Sequence, residues 1–313
     1  MYNGLMILNT GSRTDIPAFY SEWFMNRIRE GFIMARNPFD PKRVIRYDLD
    51  PSLVDAIVFC TKDPSKMLQH IDELKRYHMY WNVTITPYGK EIEENVPHKK
   101  DVMDSFIELS KKVGIDNIVW RYDPIFLNER YTLDYHLLIF EKMAKYMEGY
   151  CNACIISFID LYEKTKRNFP EVREVSYEDQ CTITKEFVKI AKKYGMVIRL
   201  CHEDRELEKY GADASGCLSK KVLEKAIGET LNVKRSLETR KGCDCLLGND
   251  IGAYNSCLHF CRYCYANFDK RLVVENRKKH DPKSPLLIGN IEEDDIISVH
   301  ESRSFIDDQL HLF

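Results

Sequence analysis

The chain has 313 residues, of which 44% are hydrophobic and 30% charged, a composition typical of a globular protein with a substantial core. The formal net charge of −3 excludes a global basic excess of the kind that attracts nucleic acid. No apolar run approaches the length of a membrane span, and the opening Met1-Tyr2-Asn3-Gly4-Leu5 does not resemble a secretory signal, so we expect a cytoplasmic protein.

Short apolar runs alternate with amphipathic stretches from the N-terminus to about residue 231. Six runs rich in Val, Ile, Phe and Trp predict buried parallel strands at Leu5–Leu8, Ala56–Cys60, Tyr80–Ile85, Asn117–Trp120, Ala153–Phe158 and Met196–Cys201. Apolar residues at helical spacing predict six intervening helices, within Phe19–Ile28, Met67–Leu74, Val102–Val113, Leu133–Met147, Ile183–Ala191 and Val222–Leu231. Strand–helix units in series favour a parallel sheet with right-handed crossovers.

Six such units could form a doubly wound sheet or a barrel. Polar residues recur where the strands end, and in a barrel all of these ends converge on one mouth. We therefore predict a TIM-like (β/α) barrel, complete or partial, with about six parallel strands over residues 1–235. From about Ser236 the alternation stops, and residues 236–313 predict a cysteine-rich, cluster-binding extension packed on the barrel. Within it, Leu286–Ile288 predicts a short strand and Ile296–Phe305 a weak helix.

The strand ends supply candidate catalytic residues. Cationic groups there could hold a carboxylate or phosphate, and acidic groups or histidine could transfer protons or bind ribose-type hydroxyls. The same residues could instead cap helices and solvate loops, but six polar endings favour a site at the mouth. The candidates are Arg13, Asp15, Lys62, Arg121, Asp123, Asp160, His202 and Glu203.

Three cysteines near the end of the chain stand at x3 and x2 spacing, namely Cys257, Cys261 and Cys264. Thiolates this close in sequence can bind one metal centre, and three of them leave a four-iron cluster with one iron lacking a protein ligand. Structural zinc is an alternative, and His259, Cys243 or Cys245 could supply its fourth ligand. A further alternative is three thiols without a metal.

The chain contains eleven cysteines, and in a reducing compartment these indicate metal ligands or core thiols. Four of them could form a second iron–sulfur or zinc site, namely Cys201, Cys217, Cys243 and Cys245. Cys201 and Cys217 could equally be core thiols, since free cysteine is commonly buried. We interpret Cys60, Cys151, Cys154 and Cys181 as packing residues.

The segment Cys257–Cys264 resembles the Cys-x3-Cys-x-aromatic-Cys pattern of radical S-adenosylmethionine (SAM) enzymes, with Tyr263 as the aromatic residue. Ser12–Pro17, Trp120–Pro124 and Asp250–Asn255 resemble a bacterial family of unknown function with a C-terminal cysteine cluster like that of radical SAM enzymes. The resemblance implies a [4Fe-4S] cluster on the three cysteines and SAM on its open iron. Under this resemblance the candidate cofactor-binding residues are Tyr263, Tyr265 and Asn267.

Two features depart from ordinary radical SAM proteins. Their cysteine loop follows the first barrel strand, whereas here it follows the sixth unit. They often contain a Gly-Gly-Glu stretch for the amino group of SAM, and the sequence contains no Gly-Gly. If SAM binds, residues of the mouth such as Arg13, Lys62 or Asp123 would replace that stretch.

The leading functional hypothesis is a radical SAM-like enzyme that acts on a small-molecule or nucleotide-like substrate in the barrel mouth. It would require an electron donor such as flavodoxin or ferredoxin and no membrane partner. The alternatives are a non-radical iron–sulfur or zinc protein that carries electrons or acts as a sensor, and a barrel hydrolase or lyase with a structural metal. Nucleic acid is a less favoured partner, although aromatic residues lie among cations from Tyr254 to Lys270.

Overall fold

The computed structural model describes residues 5–233, 245–246 and 248–307. One sheet contains seven strands, numbered along the chain as β1 (Ile7–Asn9), β4 (Ala56–Thr61), β5 (Met79–Thr84), β6 (Ile118–Ile125), β7 (Ala153–Phe158), β8 (Val197–Leu200) and β9 (Asn249–Asp250). They are all parallel, in the spatial order β9-β1-β4-β5-β6-β7-β8. The six predicted strands are therefore present, with ends shifted by a few residues.

The barrel prediction is confirmed in its partial form. The sheet is flanked by helices and is barrel-like, but it does not close. Within the described residues, β8 and β9 are its two edges. We call the gap between these edge strands the seam.

Nine α-helices occur in the described residues: α1 (Ile16–Phe19), α2 (Ser21–Glu30), α3 (Ile71–Leu74), α4 (Lys99–Val113), α5 (Leu133–Tyr146), α6 (Glu163–Asn168), α7 (Tyr177–Lys193), α8 (Lys220–Ile227) and α9 (Lys270–Lys278). Two 3-10 helices cover Ser65–His70 and Arg205–Tyr210. The Ser176 hydroxyl caps α7 by accepting a hydrogen bond from the Asp179 backbone N–H at 3.1 Å. Gly31 ends α2 with φ of 77°, a left-handed conformation that glycine adopts without steric cost.

A second, three-stranded sheet was missed by the sequence analysis. It consists of β2 (Phe32–Arg36), β3 (Arg43–Asp48) and β10 (Ile296–Val299) in the order β10-β3-β2, with β10 parallel to β3. The helix predicted over Ile296–Phe305 is therefore wrong, because its first four residues form β10 and residues 300–305 are not helical. These are mostly β-branched, and pairing with β3 satisfies their backbone groups. The strand predicted at Leu286–Ile288 is reduced to a single bridge between Leu286 and Met34.

The barrel interior changes from apolar to polar along its strands. Near the N-terminal ends, apolar side chains pack with Leu223 and Ile227 of α8, namely those of Ile7, Val58, Tyr80, Val119 and Ile155. Side chains two residues further along a strand point to the same face. On four of these strands, that next inward position is polar and lines a cavity, at Cys60, Asn82, Arg121 and Ser157. Helix α8 therefore fills one end of the barrel, while the other end is a polar mouth.

The C-terminal part of the chain contributes strands to both sheets, β9 to the barrel and β10 to the smaller sheet. The predicted boundary between 1–235 and 236–313 falls at residues outside the described ranges and stays a prediction. In the parts of the chain that the structure describes, no helix is both long and apolar enough to cross a membrane.

Candidate functional site at the barrel mouth

A cavity of about 330 Å³ lies at the C-terminal ends of the barrel strands. Most of the predicted site residues line it, namely Arg13, Asp15, Lys62, Arg121, Asp123, Asp160, His202, Tyr263 and Tyr265. Six of the predicted metal ligands also line it, namely Cys201, Cys217, Cys245, Cys257, Cys261 and Cys264. Glu203 and Asn267 are not part of this lining, and Cys243 lies outside the described residues.

The thiols form two groups in this cavity. We call Cys257, Cys261 and Cys264 the loop thiols, and Cys201, Cys217 and Cys245 the seam thiols. Among the described residues, no three His, Cys, Asp or Glu side chains are close enough as they stand to hold a single metal ion. A site in either group therefore requires its ligands to adjust around the bound group.

The cysteine loop that contains the loop thiols is attached to the segment after β5. Cys261 pairs with Glu93 in an antiparallel bridge, and the Arg262 N–H donates to the Ile92 carbonyl at 2.9 Å. The Asn95 N–H donates to the His259 carbonyl at 3.0 Å. Phe260 takes a left-handed φ of 52° where the loop turns. These contacts hold the loop at the cavity although it belongs to no barrel strand.

Burial raises the pKa of each loop thiol, well above the usual value for Cys257. Backbone N–H groups oppose this effect. The Ala266 N–H donates to Cys264 Sγ at 3.4 Å, and the His259 backbone interacts similarly with Cys257. N–H···S contacts of this kind favour the thiolate form in which cysteine binds metals. The N–H···S contacts of the loop therefore stabilise thiolates at a site where burial disfavours their negative charge.

A buried carboxylate, Glu93, organises the wall beside Cys261. It is 1% exposed and accepts hydrogen bonds from Lys62 Nζ at 2.8 Å, Lys99 Nζ and the Tyr263 hydroxyl. Burial acts to raise the pKa of Glu93, but the two ammonium groups outweigh it and hold that pKa well below its usual range. Sequence reasoning missed Glu93 because it stands in the charged run Lys90–Glu94, a pattern typical of an exposed loop.

Two carboxyl groups near the cavity floor have opposite ionisation preferences. Asp123 accepts hydrogen bonds from Arg121 and from the Ser157 hydroxyl, and these contacts lower its pKa despite burial. Burial raises the pKa of Glu203 to about 8, and its carboxyl accepts a hydrogen bond from the Phe158 N–H at 2.8 Å. One group is therefore ionised and the other protonated at neutral pH, as in paired acid–base sites.

Asp15 connects the loop after β1 to the cysteine loop. Its Oδ2 accepts hydrogen bonds from His259 Nε2 at 2.8 Å and from the Lys62 N–H at 2.7 Å, and its Oδ1 caps α1 by accepting from the Ala18 N–H at 3.0 Å. Beside it, the Arg13 guanidinium binds the Asp250 carboxylate and the Asp250 carbonyl oxygen. These two predicted site residues therefore have clear structural roles at the mouth.

Three buried polar atoms near the cysteine loop have no hydrogen-bond partner among the described residues: Thr14 Oγ1, His259 Nδ1 and Asn267 Oδ1. Leaving such an atom unsatisfied costs about 1–3 kcal/mol. Asn267 Nδ2 donates to the Cys257 carbonyl at 2.8 Å, and His259 stands between Cys257 and Cys261 in the loop. Together with the loop thiols, these residues fit a polar, thiolate-bound group.

Comparison with solved structures finds a candidate alpha-L-fucosidase from Bacteroides thetaiotaomicron VPI-5482, with 13% sequence identity and a TM-score of 0.31 over 88% of this chain and 95% of that chain. Similarity at this level transfers neither fold nor activity. No curated protein matches the chain in sequence. A family model matches residues 7–266, which include both the loop thiols and the seam thiols, and the chain therefore belongs to the family described as domain of unknown function DUF1848.

Proposed function

We propose that this protein is a radical SAM-type iron–sulfur enzyme whose substrate binds in the barrel mouth. The observation that supports the proposal most is the position of the loop thiols. Cys257, Cys261 and Cys264 line the same cavity as the charged strand ends, although the motif follows the last barrel helix in sequence. A reactive group held there would face the cavity floor.

The residues that would hold the cofactors are the three loop thiolates for a [4Fe-4S] cluster, and Tyr263, Tyr265 and Asn267 around SAM. Such a cluster with one open iron supplies, when bound, the reductive cleavage of SAM to a 5′-deoxyadenosyl radical. Lys62 is a suitable partner for the SAM carboxylate, because an ammonium group has three donors and Glu93 uses one of them.

The cavity floor supports a small-molecule or nucleotide-like substrate. The whole cavity has a volume of about 330 Å³, which is at the low end of the range for small-molecule sites. Arg121 would orient an anionic or carbonyl group of the substrate. The ionised Asp123 would accept a hydrogen bond from a substrate hydroxyl. Glu203, protonated at neutral pH, would hold a proton close to the floor. The cysteine loop over the mouth would exclude water from the reacting atoms.

The test is anaerobic purification with iron and sulfide analysis, followed by addition of dithionite and SAM. We expect a four-iron cluster whose electron paramagnetic resonance spectrum changes with SAM, and formation of 5′-deoxyadenosine. Flavodoxin or ferredoxin should replace dithionite as the electron donor. Zinc at full occupancy without sulfide would overturn the proposal. A cluster that never yields deoxyadenosine would favour a non-radical electron carrier or sensor.

A second candidate, a barrel hydrolase or lyase, is supported by the opposed ionisation of Asp123 and Glu203. In that case the loop thiols would hold only a structural metal. Activity retained in a metal-stripped but folded protein would favour this candidate over the radical one.

A further inference from the structure

The seam thiols come from both edges of the open barrel. Cys201 directly follows edge strand β8, and Cys245 precedes edge strand β9 by four residues. Cys217 lies in the chain segment between these two cysteines, and this segment forms backbone bridges both to β8 and to Cys245. Asp213 bridges to Arg199 of β8, and Ser219 bridges to Cys245. The three thiols therefore meet where the barrel sheet is interrupted.

Their sulfur atoms are in contact. Cys217 Sγ lies 3.5 Å from Cys201 Sγ and 3.3 Å from Cys245 Sγ. Thiolates at zinc–sulfur distances of 2.3 Å around one tetrahedral ion lie about 3.8 Å apart. A four-iron cluster, by contrast, spaces its thiolates around an inorganic core. The two observed distances are close to that spacing, but the three thiols do not surround one point as they stand, so they must shift to bind an ion.

Two contacts favour thiolates at this position. Arg121 Nη2 lies 3.5 Å from Cys201 Sγ, and the Leu218 N–H donates to Cys245 Sγ at 3.4 Å. Cys217 and Cys245 are almost completely buried, at 5% and 1% exposure. Arg121 is held in place by its ion pair with Asp123, whereas the Leu218 N–H is directed at the sulfur of Cys245 itself.

We propose that Cys201, Cys217 and Cys245 bind a single zinc-class ion that joins the two edges of the open barrel. Soft thiolate ligands select zinc among the common divalent ions, and three of them leave one position of the tetrahedron. To bind the ion, the outer thiols of Cys201 and Cys245 turn toward each other around Cys217. The Arg121 guanidinium, which also pairs with Asp123, lies beside the Cys201 sulfur. This site goes beyond the proposed function and does not depend on the loop thiols.

The test uses the full chain with Cys257, Cys261 and Cys264 all changed to Ala, so that any remaining metal belongs elsewhere. We expect about one zinc ion per chain by elemental analysis. Adding Cys217→Ser should remove it, whereas adding Cys60→Ser, a cysteine of the same cavity outside the seam group, should not. Cobalt(II) replacement should give intense thiolate charge-transfer absorption that Cys217→Ser abolishes. If Cys217→Ser does not fold, Cys201→Ser replaces it.

Several outcomes would overturn the proposal. Absence of zinc with all three seam thiols free to alkylating reagents would do so. So would a loss of two hydrogens in the mass spectrum, which would indicate a disulfide within the group, and so would iron with sulfide retained in the variant. None of these results bears on the loop thiols, so a failure here is distinguishable from a failure of the proposed radical chemistry.

Discussion

The two thiol groups of the cavity differ in how the chain brings them together. The loop thiols lie within eight consecutive residues, Cys257–Cys264, and a short segment places them. The seam thiols span 45 residues of chain, from Cys201 to Cys245, and meet only because β8 and β9 are the barrel edges. The first group is therefore a property of local sequence, and the second is a property of the fold.

This difference predicts that the groups fail independently. The cysteine loop depends on the hydrogen bond from the Tyr263 hydroxyl to Glu93 and on backbone hydrogen bonds with Ile92 and Asn95. The seam thiols depend on strand pairing at the edges, where Leu246 N–H donates to the Leu218 carbonyl at 2.8 Å. A substitution in one supporting structure should leave the other group intact.

The largest expected effect is that of Cys261→Ala. Removing the central loop thiol leaves two, too few to hold a four-iron cluster, so we expect essentially complete loss of cluster iron and sulfide. Zinc bound by the seam thiols should remain at the wild-type level. Elemental analysis of anaerobically purified protein measures both. Cys181→Ser, a half-buried thiol outside both groups, is the control and should lose neither metal.

Glu93→Gln should destabilise the wall beside the cysteine loop. The substitution leaves the partly buried ammonium groups of Lys62 and Lys99 without their counter-charge, which costs at most about 3–5 kcal/mol in unfolding free energy. Urea unfolding measures this change, and cluster occupancy should fall with it while seam zinc is retained. The matched control is Glu94→Gln. Its pair with Lys270 is exposed, so the expected cost is at most about 1 kcal/mol.

Equal effects of the two substitutions would contradict the assignment of Glu93 as the support of the loop. Loss of seam zinc in Glu93→Gln would contradict the independence of the two thiol groups.

Six of the seven barrel strands could be predicted from sequence because most of them are buried on both faces and appear as apolar runs, whereas β9 is the polar, half-buried pair Asn249–Asp250 and was missed. Strands β2, β3 and β10 could not, since half-buried segments such as Phe32–Arg36 carry mixed side chains and form strands through pairing. That the strand-end residues would share one site could be predicted from topology alone, because parallel strands all end at the same edge of the sheet. Glu93 escaped prediction because its burial comes from the cysteine loop, which lies about 170 residues away.

Glu203→Gln should change how stability depends on pH. Burial raises the pKa of Glu203 from 4.5 to about 8, so the folded protein keeps a proton that the unfolded chain releases between these values. The stabilisation is therefore complete below pH 4.5 and is lost as the pH rises toward 8. At 1.36 kcal/mol per pKa unit, we expect wild-type stability to fall by about 3 kcal/mol between pH 5 and pH 8.

In Glu203→Gln this fall should disappear, and the variant should be the more stable protein at pH 8. Unfolding in urea across this pH range measures the difference. Glu208→Gln, an exposed neighbour in the same segment, should retain the wild-type pH dependence. Parallel pH profiles for wild type and Glu203→Gln would show that the carboxyl ionises freely in the folded state.

The smallest expected effect is that of Gly248→Ala, and it bears directly on the seam. A Cβ at residue 248 would stand 2.0 Å from the Ile7 carbonyl oxygen, so β9 could not keep its present distance from β1. Overpacking against backbone typically costs about 1–3 kcal/mol, and the strain would displace the segment that carries Cys245. We therefore expect weaker zinc retention under chelator challenge, with cluster iron unchanged because the cysteine loop rests on the segment after β5. Gly149→Ala is the control for a general loss of stability, because the left-handed φ of 79° strains alanine there while the added Cβ meets no described atom within 4 Å and Gly149 lies far from both thiol groups in sequence. If Gly248→Ala released iron and zinc together, the two groups would form one cooperative unit, and the distinction between a locally encoded site and a fold-encoded site would fail.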